Sequence, residues 1–237
     1  MYRTISAMLI AALSALPALS APVEHKFTLS IAGLSVASVA LTVDRSGDGY
    51  DALARVRGRG LVGSFVELDY EGHSEGRFAA DGRPKPLISR SQRRDDEGGR
   101  AVVIHYSGGT PVSVTADPPW PPRPWDIAPL SQRGTLDPIS AAVAIIADRP
   151  VGEACGRTVE IFDGRRRSRV VLGARSERGN FWICPGTYSR VAGYPPKRME
   201  EQVDFPFEIT YQETNGILRV VRIDMESTFG SARMQRR

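Results

Sequence analysis

Alternation with a period of two runs through most of this chain. Phe27, Leu29 and Ile31 alternate with Thr28 and Ser30, and Val39, Leu41 and Val43 alternate with Ala40 and Thr42. Asp48-Gly49 reads as a hairpin turn, after which Tyr50, Ala52, Ala54 and Val56 fall on one face. Such strands bury one face and leave the other wet or facing a cleft, which is the habit of antiparallel sheets. The pattern resumes over residues 87–93, 101–106, 158–162 and 165–172, and Asp163-Gly164 between the last two is a strong hairpin signal. Phe205, Phe207, Ile209 and Tyr211 form another face, followed by the tight-turn pair Asn215-Gly216. Leu218 and Val220 are out of phase with Val221, Ile223 and Met225, so a bulge is expected near Val220.

One helix interrupts the strands. Asp137 is suited to the N-cap and Pro138 to the first helical position. Ile139, Ala142, Val143 and Ile146 follow at i, i+3, i+4 and i+7, a core-facing stripe that residues 148–150 end. A helical turn is also expected at residues 61–66. The run Pro118-Pro119-Trp120-Pro121-Pro122-Arg123-Pro124-Trp125 can be neither helix nor central strand. It is expected to be an extended connection, its tryptophans packed on the sheet edge.

The start of the chain changes the picture of where the protein works. Arg3 precedes an apolar run over residues 5–19, and Ala18, Ser20 and Ala21 are small residues at cleavage-like positions. This is the layout of a secretory signal peptide, with cleavage after Ser20 or Ala21. The run is too short for a comfortable membrane span. The expected organisation is a signal peptide at 1–21 and a single β-rich domain at 22–237, soluble and periplasmic. Cleavage leaves about 216 residues with a net charge of +3, too mild a surplus to imply nucleic acid. The densest basic cluster, Arg165-Arg166-Arg167 with Arg169, reads as a solvated strand beyond a turn, or as a patch for anionic lipid headgroups.

Two cysteines, Cys155 and Cys184, make one disulfide the expected pairing in an oxidising compartment; the sequence holds no C-x-x-C, and no histidine lies between them. His25, His73 and His105 share no ligand spacing, so neither a metal nor a cofactor is expected. There is no G-x-S-x-G elbow, and Gly58-Arg59-Gly60-Leu61-Val62-Gly63 lacks the long helix of a nucleotide fingerprint. Asp69, Glu71 and Glu75 share a strand face, either as a solvated face or as carboxylates for hydrolysis.

Several segments in order carry a resemblance: the early strand pair with Gly33 between, Gly60-Leu61-Val62-Gly63, the helix start Leu136-Asp137-Pro138, Asp163-Gly164-Arg165-Arg166, and Cys184 with Val191-Ala192-Gly193-Tyr194. Together they resemble the Gram-negative periplasmic family catalogued as domain of unknown function 3108 (DUF3108), over nearly the whole mature chain. The resemblance brings no catalytic residues. It implies a fold like that of the lipoprotein carriers: mainly β, a single curved antiparallel sheet or half-barrel, with one principal helix packed on the concave side. A sheet too open to close leaves an apolar hollow. The leading expectation is therefore a noncatalytic binder of an apolar or amphiphilic envelope ligand, a lipid or lipoprotein-like molecule, with Ile139, Val143 and Ile146 facing it. The alternatives are a structural or interaction module that meets an envelope protein partner, and a carboxylate-dependent hydrolase.

Overall fold

The computed structural model describes residues 21–59, 69–94, 99–227 and 230–237. The expected signal segment, the turn at 61–66 and Gly60-Leu61-Val62-Gly63 lie outside the described residues. Among the described residues fifteen strands make one antiparallel sheet. They are β1 Val23–Ile31, β2 Leu34–Ser46, β3 Gly49–Gly58, β4 Asp69–Phe78, β5 Pro84–Arg94, β6 Arg100–Ser107, β7 Thr110–Asp117, β8 Arg149–Pro150, β9 Arg157–Phe162, β10 Arg167–Leu172, β11 Ser176–Arg178, β12 Phe181–Ala192, β13 Asp204–Thr214, β14 Ile217–Ser227 and β15 Gly230–Arg236. Among the described residues the α-helices are α1 Pro138–Ile146 and the short α2 Pro196–Glu201.

The strand order is β7-β6-β5-β4-β3-β2-β1-β15-β14-β13-β12-β10-β9, with β8 beside β14 and β11 beside β12. The two outer strands, β7 and β9, are not paired, so the sheet does not close into a barrel. The gap between them is spanned by the chain leading into α1: Gly134 N–H donates to Gly109 O, Leu136 N–H to Glu160 O, and Phe162 N–H to Leu136 O. Edge backbone is thereby capped rather than left open. The Pro-Trp segment lies over the same seam. Trp120 and Trp125 are half-buried, and Gly164 lets the β9–β10 turn approach Trp120, Val102 and Val114 so closely that a Cβ would sit 3.0–3.2 Å from them.

The hairpin expectations hold with two adjustments. The Asp163-Gly164 turn takes four residues, 163–166, so that β10 begins at Arg167 rather than at residue 165. Between β2 and β3 the turn is Gly47-Asp48, one residue before the expected pair, because Gly47 takes a positive φ of 60° and Ser46 pairs Gly49. Asn215-Gly216 turns as expected, both at positive φ. The bulge near Val220 is present: Tyr211 pairs Val220 while Thr210 pairs Arg222, leaving Val221 as the extra residue.

Helix α1 lies in the hollow of the sheet, against β2 to β5 on one side and β9 on the other. It is buried on two faces rather than along the single expected stripe. Ile139, Val143 and Ala147 join Leu41, Val43, Tyr50 and Ala52. Ala141 and Ala144 join a second cluster built on Phe27, Leu172, Ile209, Tyr211 and Val220. Alanines on that second face let the helix approach closely. Ala142 is only half-buried, and Ile146 packs at the border of both clusters. Each fully buried apolar side chain contributes about 1.5–3 kcal/mol.

Candidate functional site

The helix starts in a sealed polar pocket. Asp137 is fully buried, and its Oδ1 accepts from Ile139 N at 2.9 Å and Ser140 N at 3.1 Å. Its Oδ2 accepts from Ser74 Oγ at 2.9 Å and Ser140 Oγ at 2.5 Å, and Tyr50 Oη lies 2.7 Å from Ser140 Oγ. Desolvation raises the Asp137 carboxyl above its ordinary range, against the lowering pull of these hydrogen bonds. Burial likewise pushes the Tyr70 phenol up to about 12. Strand β4 makes the space by turning Gly72, Ser74 and Gly76 inward. A Cβ on Gly72 would meet Ile139 and Tyr70 at 2.7 Å, and one on Gly76 would clash with the Lys85 carbonyl oxygen.

At its other end, α1 opens on a cavity of about 900 Å³. Its apolar wall includes Phe78, Pro86, Leu136, Val143, Ala144 and Val159. Of the three expected ligand-facing residues, Val143 lines this cavity, Ile139 is enclosed against Gly72 and Tyr70, and Ile146 stands between the two core clusters. Cys155 also lines the wall. It is bonded to Cys184 with a Cα separation of 5.5 Å, the expected disulfide, which ties the segment after the helix to β12.

Two arginines that the hydrophobic pattern gives no reason to single out stand in the same wall. Arg149 donates from Nη2 to Ala144 O at 2.5 Å and, more loosely, to Val143 O, so it caps the helix C-terminus. Arg157 donates from Nε to Ala154 O at 3.0 Å and faces the Tyr211 hydroxyl. The Arg149 Nε and Arg157 Nη2 atoms are buried without a hydrogen-bond partner among the described residues. Desolvation first, and the Arg157 charge second, lower the Arg149 guanidinium to about 10. Desolvation lowers Arg157 as well.

Other charged groups of interest have partners. Asp69 pairs Arg57, Glu71 pairs Arg55 at 2.8 Å and Glu75 pairs Arg90 at 3.0 Å, all on the outer face of β3 to β5. In the basic cluster, Arg165 pairs Asp126 at 2.8 Å, Arg167 and Arg169 share Glu160, and Arg166 lies 5.4 Å from the Tyr194 ring centre. His73 sits 2.8 Å from Asp51, and His105 is exposed. His25 is 1% exposed, its Nδ1 accepting from Arg236 Nη2, and desolvation lowers its pKa despite the opposing pull of Asp148. Among the described residues no group of three His, Cys, Asp or Glu could hold a metal, and no helix is long and apolar enough to cross a membrane.

Comparison with curated proteins finds no match. Among solved structures, a beta-barrel-like protein of domain of unknown function DUF1849 from Brucella abortus is similar over 91% of this chain and 95% of its own, at 14% identity and a TM-score of 0.44. The family described as "Protein of unknown function (DUF3108)" matches residues 26–237, nearly the whole chain, and the chain belongs to that family.

Proposed function

We propose that this chain is an exported, noncatalytic protein of the cell envelope that holds an apolar or amphiphilic ligand beside the C-terminal end of α1. One observation carries the reading: the hollow of the sheet is only partly filled by the helix, and the remaining 900 Å³ has a wall of mixed character, with an apolar stretch at Phe78, Leu136, Val143 and Val159 and charged side chains around it. That volume falls in the range of small-molecule sites, about 300–1,000 Å³. The disulfide beside the cavity agrees with an oxidising compartment. The carboxylates Asp69, Glu71 and Glu75 are held in ion pairs away from the cavity, which disfavours the hydrolase alternative.

Native mass spectrometry of protein prepared from the periplasm tests the reading. A bound lipid-sized mass is expected, and Ala79→Leu, which adds three carbons at a half-buried position of the cavity wall, is expected to diminish it while the protein still melts cooperatively. Ligand-free protein that also fails to take up dodecanoate or 1-monolaurin would overturn it. N-terminal sequencing of the same preparation is expected to start at Ala21 or Pro22. A start at Met1 would remove the export part of the reading.

A further inference from the structure

We infer that the ligand is anionic: a chain amphiphile whose oxyanion head, carboxylate or phosphate, is bound by Arg149 and Arg157 while its apolar part lies along Val143, Ala144 and Leu136. This rests on the cavity reading above and adds the chemistry of the head.

The argument is one of unmet hydrogen-bonding capacity. A guanidinium carries five N–H donors in a fixed fork that matches carboxylate and phosphate oxygens. Both arginines are half-buried in the cavity wall, and the contacts they make are to backbone carbonyls and a neutral phenol. Each keeps a buried N–H atom without a partner among the described residues. A buried donor left unmade is costly, and two like charges in one wall add repulsion. An oxyanion in the cavity beside them offsets that repulsion.

Three of the four lining carboxylates are engaged by other cations. Asp81 is bound by Arg83, Glu160 by Arg167 and Arg169, and Asp148 by Arg219 and Arg236. Glu153 is exposed near Gly82 at the mouth, and its charge reaches both arginines without an ion-pair contact to either among the described residues. Arg45 and Lys85 add positive charge to the rim. The lining thus carries five cationic and four anionic side chains, a surplus of one positive charge toward an entering anion. The guanidinium pKa values agree: both are lowered by desolvation, the state an anion would reverse.

The test is calorimetric titration of the delipidated full-length mature protein with dodecanoate, dodecyl phosphate, neutral 1-monolaurin and inorganic phosphate. The two anionic amphiphiles are expected to bind about tenfold or more tightly than 1-monolaurin, with inorganic phosphate far weaker than either. Arg157→Gln is the primary variant, because Arg149 also holds helix carbonyls. It is expected to lower anionic affinity about tenfold and leave 1-monolaurin unchanged. Arg149→Lys keeps the charge without the fork and is expected to weaken dodecyl phosphate by a smaller factor. Equal binding of charged and neutral amphiphiles, unmoved by either variant, would overturn the anionic head and leave the cavity reading standing. Inorganic phosphate binding as tightly as dodecyl phosphate would overturn the amphiphile. Failure of every amphiphile to bind would overturn both readings together.

Discussion

The charged groups at the two ends of helix α1 are treated in opposite ways, although the Tyr70 and Tyr106 hydroxyls near Asp137 are also buried without a hydrogen-bond partner among the described residues. At the first turn, Asp137 is fully buried and every oxygen has a donor. At the last turn, Arg149 and its neighbour Arg157 are buried in part and leave donors unmade beside a cavity. A satisfied buried network specifies structure, because its members are met from within the chain. An unsatisfied one leaves room for a group from outside. The same nine-residue helix thus anchors the fold at one end and faces the cavity at the other.

The largest effect that would sharpen this contrast is Asp137→Ala. It removes the N-cap and strands two serine hydroxyls and two backbone N–H groups, a loss of about 4 kcal/mol in chemical denaturation. Asp137→Asn keeps the cap and should lose much less. The raised carboxyl adds a pH signature. Its folded state holds the proton longer, so stability from this group is present in acid and is lost as pH rises from about 4 through the folded value. Asn should flatten that slope.

Cys155→Ser should cost about 3 kcal/mol, since the bridge closes a loop with a sequence separation of 29. If the open end is shaped by the bridge, amphiphile binding falls as well. Unchanged binding at the reduced stability would show that the wall stands without it.

Gly72→Ala places a methyl against Ile139 and should destabilise by about 2 kcal/mol through overpacking. Because it acts at the sealed end, binding should be unaffected in protein that remains folded. A parallel loss of binding would break the separation of the two ends.

A smaller effect is expected from pH at His25, which neighbours Asp148 near the open end. Its folded pKa lies below the ordinary value, so its stability is fully present above about pH 6.5 and is lost as pH falls from there through the folded value. Melting scans between pH 7 and 5 should show the decline, and His25→Gln should lessen it. The smallest effect should come from Arg157→Gln, within about 0.5–1 kcal/mol of the parent in stability, since one of its buried donors has no partner to lose.

How much of this was readable beforehand depended on whether the signal was local. The bulge at Val221 is visible as two apolar sets slipping out of phase by one residue. The helix start is visible because its cap and proline are adjacent in the chain. The disulfide follows from there being two cysteines in a chain that begins like an exported one. The polar cluster was not readable. Ser74, Ser89 and Tyr50 look like ordinary strand residues until α1 brings Asp137 and Ser140 to them from more than 45 positions away. The single-stripe expectation for α1 failed for a related reason: a stripe presumes one packing partner, whereas the hollow encloses this helix on two sides. Arg149 and Arg157 follow the helix and Cys155 as unremarkable charges, and nothing local distinguishes them from the many arginines that pair on the surface.

The pairing of β1 with β15 bears on how the molecule assembles. Phe27 meets Arg236 and Ile31 meets Ala232, so the middle of the sheet is a joint between residues some two hundred positions apart. On one side, β1 through β7 follow one another as successive hairpins. On the other, β9 through β15 do nearly the same in reverse. Each wing can zip by short loop closures, while the central joint must wait for a far larger one. The rate-limiting event in refolding is therefore expected at that seam. A destabilising change at Phe27 should slow folding, whereas one at an outer hairpin should chiefly hasten unfolding.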